Sequence, residues 1–183
     1  MDSQYVLLNN QLMIVIRRRK SNRLKNFDYS SSGWYFVTIC TQNRECLFGN
    51  VIDNKMVLNK YGEIVQDQWL WLEKQYKYVE FDAFHIMPNH FHGILIIVNE
   101  TNRVGTGLDL SLQKKRLSLS NIIGAFKTTS SKHIHQIGLN TFRWQRSFYD
   151  HIIRNKYSLF RIRQYIRDNP KNWSDDRNNP NNE

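Results

Sequence analysis

Acidic residues are scarce in this chain of 183: 16 Asp and Glu stand against 26 Lys and Arg, a net charge of +10 at neutral pH. That imbalance points to a polyanionic partner, either nucleic acid or an anionic membrane surface. Long hydrophobic runs are missing as well. The longest, Ile94 to Val98, falls far short of the ~18 residues of a spanning helix, so no membrane association is expected. The N-terminus has no leading basic segment, and its basic cluster follows the apolar run Leu12 to Ile16, the reverse of a secretory signal. Cys40 and Cys46 are the sole cysteines and form no CxxC, which excludes a disulfide framework and a cysteine zinc site. The expectation is a cytoplasmic, nucleoid-associated protein facing DNA or RNA.

Hydrophobic residues at 40% and aromatics at 13%, including five Trp, supply a core for one domain. Residues 17–25 read RRRKSNRLK, with six basic side chains in nine positions. Residues 1–26 therefore read as a basic arm, with Arg17, Arg18, Arg19, Lys20 and Arg23 as candidate phosphate contacts. Residues 27–173 read as the folded domain and residues 174–183, rich in Asn and Asp, as a polar tail that frays.

Trp34 to Thr41 is dense in β-branched and aromatic residues and predicts a buried strand. Cys46 to Asn59 places two short apolar runs around Asp53-Asn54, a hairpin signal. Ile64, Val65, Trp69, Leu72 and Tyr76 recur at helical spacing, predicting a helix after Gly62. Phe81 to Ile86 and His90 to Val98 read as strands joined by a Met87-Pro88-Asn89 turn. The polar stretch 99–113 reads as an exposed loop. Leu117 to Ile137 is a second helix by period, with Ser118 or Ser120 as N-cap. Ser147 to Ile153 reads as a last strand, and Tyr157 to Arg167 as a helix that Asn169-Pro170 ends. The order is that of a ferredoxin-like β-α-β-β-α-β sandwich, α+β with an antiparallel sheet, an inserted β-hairpin and an appended C-terminal helix.

His90-Phe91-His92 opens a strand. Alternation sends both imidazoles to one face and Phe91 to the other, so the pair can converge on one cation. Tyr165 and Asn169 lie four apart on the last helix and share a face. Asn169 is then a candidate third ligand, and Tyr165 a candidate nucleophile toward a phosphorus polarised by the cation. Among other residues, His85 reads as structural, and Tyr149 and His151 as strand packing. Lys127 reads as a solvated residue or a phosphate contact, and Lys114-Lys115-Arg116 as a weak grip on DNA. Trp34, Tyr35, Trp69, Trp71, Trp144 and Phe148 are core aromatics, of which one or two could stack on unpaired bases.

The segments YSSSGWYFVTICTQNRECLFG, FHIMPNHFHGILII, IIGAFKTTSSKHI and WQRSFYDHIIRN with IRQYIRDNP, spread over residues 17–173, resemble the REP-associated tyrosine transposases. These belong to the insertion-sequence-200-like, single-tyrosine HUH transposase superfamily. The resemblance implies that His90 and His92 hold a Mg²⁺ or Mn²⁺ ion and that Tyr165, in YIRDNP, is the nucleophile. Asn169 stands where classical members carry Gln. It further implies cutting of single-stranded, hairpin-containing (REP-like) DNA with a 5′-phosphotyrosine intermediate, by a monomer or by a homodimer that exchanges the tyrosine helix. The alternative function is a domesticated protein that recognises repeat hairpins without cutting. A hydrolase using activated water lacks both an HExxH motif and a suitably placed carboxylate, since Asp168 lies at the wrong helical angle from Tyr165.

Overall fold

The computed structural model describes residues 4–8, 11–15, 24–98 and 117–182. Near the N-terminus, strands β1 (Gln4–Leu8) and β2 (Gln11–Val15) pair antiparallel. The stretch expected to be an arm thus includes a hairpin, while Arg17, Arg18, Arg19, Lys20 and Arg23 lie outside the described residues.

Four strands form the main sheet: β3 (Gly33–Cys40), β6 (Val79–Ile86), β7 (His90–Ile97) and β8 (Tyr149–Ile153), in the order β6-β7-β3-β8 and antiparallel throughout. Strand β3 leads through helix α1 (Lys60–Gln75) to β6, with β7 lying between them. Strand β7 leads through α2 (Leu119–Gln136) to β8, with β3 between them. These are the two interleaved split βαβ units of a ferredoxin-like sandwich, as the element order implied. The inserted hairpin is β4 (Gly49–Ile52) with β5 (Lys55–Leu58), turning at Asp53 and Asn54, whose φ angles of 49° and 60° are those of a primed turn. Helix α3 (Lys156–Asp168) follows β8.

Each helix starts at a side-chain cap. The Asn59 side chain accepts from the backbone N–H of Tyr61 and Gly62, so α1 begins at Lys60 rather than after the glycine. Ser118 and Asn155 cap α2 and α3. Strand alternation then divides the sheet into two faces. Tyr35, Val37, Ile39, Phe91 and Leu95 meet α1 and α2, where Trp69 packs against Phe81, Phe91 and Phe126 at ring separations of 4.4–5.4 Å. Gly93 makes room there, since a Cβ would come within 2.9 Å of both the Phe91 and the Trp69 rings. The opposite face carries a smaller apolar group, Phe36, Ile94 and Ile153, covered by Ile166 of α3.

Two expectations need correction. The tail does not fray: it turns through short 3-10 segments at Trp173–Asp175 and Pro180–Asn182, and Asp176, Asn178 and Asn179 are buried. Tyr149 and His151 are not buried by strand packing but exposed on the edge strand β8, where the Tyr149 ring keeps an edge-on contact with Phe36. Lys114, Lys115 and Arg116 and the loop 99–113 lie outside the described residues.

Candidate functional site

The α3 face of β7 carries both histidines. Across the sheet His90 is opposite Cys40, and His92 is opposite Thr38 on one side and His85 on the other. His90 and His92 are buried, with ring centroids 4.4 Å apart. Asn89 fixes the first. Its amide nitrogen donates to the carbonyls of Arg44 and Asn178, which turns its oxygen toward His90 Nδ1 at 2.8 Å. His90 therefore carries its proton on Nδ1, and Nε2 presents a lone pair. That Nε2 is buried and has no hydrogen-bond partner. Thr38 Oγ1 sits 2.9 Å from His92 Nδ1, and the Tyr165 hydroxyl lies 3.2 Å from His92 Nε2. Burial pushes the His90 imidazole down to about 4 and that of His92 well below its ordinary value, with the neighbouring His90 adding to the latter shift. Both rings are thus neutral at physiological pH, the form that ligates metals.

Helix α3 turns Ile162 and Ile166 onto the sheet and leaves Tyr165 on its flank, 43% exposed. The phenol ring stands edge-on to Phe36 and to His92, at 6.1 and 5.1 Å. Burial raises its pKa, so the hydroxyl keeps its proton at neutral pH. One turn on, Asn169 is buried. Its Nδ2 donates to Asp176 Oδ2 at 3.1 Å, and its Oδ1 has no partner.

Asp176 is the residue that sequence reasoning missed. The tail folds back over the start of β7, with the Trp173 ring 5.9 Å from that of His90 and the Asn178 carbonyl bonded to Asn89. Ligand atoms of His90, His92 and Asp176 all fall within 4.8 Å of one another. A density of Asn and Asp is a composition that disordered tails share, so only the packing distinguishes this carboxylate. The residues fit a divalent cation. Two neutral imidazoles and a carboxylate converge, and the lone pairs of His90 Nε2 and Asn169 Oδ1 are buried without donors. A buried acceptor left unpaired costs ~1–3 kcal/mol, which a cation would offset. The carboxylate makes the set harder than the two-histidine, one-amide site expected from sequence.

Elsewhere the placements are mixed. Lys127 does not stand free for phosphate: its Nζ donates to the carbonyls of Gln145 and Ser147, at 2.8 and 3.2 Å, and lies over the Phe148 ring. Tyr35, Trp69 and Trp144 are buried, and Arg163, paired with Asp82, lies over Trp34. His85 is half-buried beside His92.

No protein-family model matches this chain. Its fold is that of a REP-associated tyrosine transposase: the structure of one such protein bound to a REP hairpin matches with a TM-score of 0.55 at 19% identity, over 84% of this chain and 74% of that one. The likeness anticipated from the sequence motifs thus holds for the architecture. An uncharacterized protein of Haemophilus influenzae is 37% identical over 168 residues, 88% of this chain and 93% of that protein. This chain belongs to the same family as that Haemophilus protein. Among the described residues no helix is long and apolar enough to cross a membrane.

Proposed function

We propose that this protein is a metal-dependent DNA transposase or nickase that cuts and rejoins single-stranded, hairpin-containing DNA through Tyr165. The observation that carries this reading is the Tyr165 hydroxyl, 3.2 Å from His92 Nε2 and next to the cluster of His90, His92 and Asp176. The fold shared with a transposase bound to a REP hairpin supports a hairpin substrate, and the net charge of +10 suits a polyanion.

The chain's own residues serve distinct parts of the reaction. His90, His92 and Asp176, with Asn169 Oδ1, would hold Mg²⁺ or Mn²⁺. When bound, the ion lowers the cost of a phenolate and of charge on the phosphoryl oxygens. Tyr165 Oη forms a bond to phosphorus as the bond to the 3′-oxygen breaks; the phenol gives up its proton and the 3′-oxygen gains one. A 5′-phosphotyrosine results, and no nucleotide cofactor is needed because the number of phosphodiester bonds is conserved. Thr38 and Asn89 hold the imidazoles in orientation through their Nδ1 atoms. Tyr165 lies within hydrogen-bond distance of His92 of its own chain, which supports attack in cis.

The test is a denaturing gel after incubation with Mn²⁺ or Mg²⁺ and a single-stranded hairpin carrying flanks on both sides. A covalent protein–DNA band that vanishes in Tyr165→Phe is the expected result. Tight binding without any band would establish the non-cleaving hairpin binder instead.

A further inference from the structure

The edge of the sheet beyond the histidine pair carries a feature the chemistry above does not use. Tyr149 on β8 is 40% exposed, although its face of the sheet is otherwise covered at this level. Register places Tyr149 opposite Thr38, and Thr38 opposite His92, so the three form one row across adjacent strands. Phe36 joins that edge to the tyrosine site. Its ring stacks on His92 at 5.6 Å and stands edge-on to Tyr165 at 6.1 Å and to Tyr149 at 6.3 Å. Beside Tyr149 runs an open groove of about 440 Å³ whose lining includes His151, Arg154, Asn155 and Ser158. That volume lies within the ~300–1,000 Å³ of small-ligand sites. Arg154 and His151 are exposed, and the buried Asp150 also lines the groove, which wraps around the edge of the strand.

We infer that this edge seats the unpaired nucleotide next to the phosphate attacked by Tyr165, its base stacking on Tyr149 and its phosphate meeting Arg154. The inference rests on the proposed reaction and adds a place for the flanking single strand. An exposed phenol ring offers a π-face that any unpaired base can cover, while duplex bases keep their faces occupied by neighbours. Arg154 supplies a cation in the same groove, and His151 a polar group that can meet a base edge. Because β8 is an edge strand, a nucleotide can enter from the side without displacing α3.

The experiment uses the full chain carrying Tyr165→Phe, so that cleavage plays no part. Affinity is measured by fluorescence anisotropy for a hairpin with single-stranded flanks and for the same hairpin without them. Tyr149→Leu is expected to weaken binding of the flanked hairpin about tenfold, within the range of losing one base–aromatic stack, and to leave the bare hairpin unchanged. Tyr149→Trp should restore the flanked affinity, which separates a stacking role from a folding defect. Flanks carrying 5-iodouracil should photocrosslink to the peptide containing Tyr149. Equal affinities of Tyr149→Leu and its parent for the flanked hairpin, or crosslinks confined to other peptides, would overturn the inference. Because the readout is binding, loss of the seat and absence of covalent chemistry in the wild type are separate outcomes.

Discussion

Alternate residues of the same strands build both faces of the β6-β7-β3-β8 sheet, yet the two faces bury different kinds of group. Toward α1 and α2 they place Tyr35, Val37, Ile39, Phe91 and Leu95 around Trp69, an aromatic interior closed by two long helices. Toward α3 they place Phe36, Thr38, His90 and His92, with Ile166 the one fully buried residue of the helix itself. The first face contributes apolar burial, at ~25 cal/mol per Å², and carries the stability. The second spends burial on two imidazoles and an amide, of which His90 Nε2 and Asn169 Oδ1 lack partners, a cost that is tolerable because the first face is so well filled. Stability and chemistry are thereby separated by the thickness of one sheet.

Breaking the comparison at its chemical side gives the largest effect. Tyr165→Phe removes one oxygen, so covalent adduct formation on a gel should disappear while urea midpoint and DNA affinity stay close to wild type. Persistent nicking would assign the attack to water or another tyrosine. On the opposite face Trp69→Ala should lower unfolding free energy by ~3–5 kcal/mol in urea titration, while the surroundings of Tyr165, across the sheet, stay as they are. A loss below ~1 kcal/mol would show that the aromatic interior is not where stability resides. Asp176→Asn should weaken Mn²⁺ binding, measured calorimetrically, by more than the ~10–100-fold typical of losing an outer partner of a ligand. Unchanged affinity would place the cation away from the tail.

Smaller effects sharpen the same contrast. Burial holds His90 near 4 and His92 well below its ordinary value, so the unfolded chain binds protons that the folded chain refuses. Stability of the metal-free protein is therefore full above pH ~6.5 and falls as pH drops toward 4, by up to ~1.4 kcal/mol per pH unit for each histidine. His90→Gln should flatten that slope, and an equally steep profile would shift the cause to other groups. Last, neutralising Arg17, Arg18, Arg19 and Lys20 should reduce the slope of log K against log salt by ~0.7 for each single-strand phosphate that the segment neutralises. An unchanged slope would leave that segment merely solvated.

Sequence alone determined what local rules reach. Alternation put His90 and His92 on one side of a strand, period placed Tyr165 and Asn169 on one flank of a helix, and the Asp53-Asn54 turn followed from its backbone preferences, while the cap of α2 was narrowed to Ser118 or Ser120. Tertiary structure decided the rest. Asp176 is adjacent to the histidines because the tail folds back over the start of β7, an approach spanning more than eighty residues that no periodicity encodes. Tyr149 is exposed because β8 lies at the edge of the sheet, and strand order is a property of pairing rather than of the strand. Lys127 is tied to the carbonyls of Gln145 and Ser147 because the segment leading into β8 passes beside α2. In each case the side chain's chemistry is written in the chain, but its partner is chosen by packing between segments far apart in sequence, where burial and hydrogen-bond satisfaction are settled together.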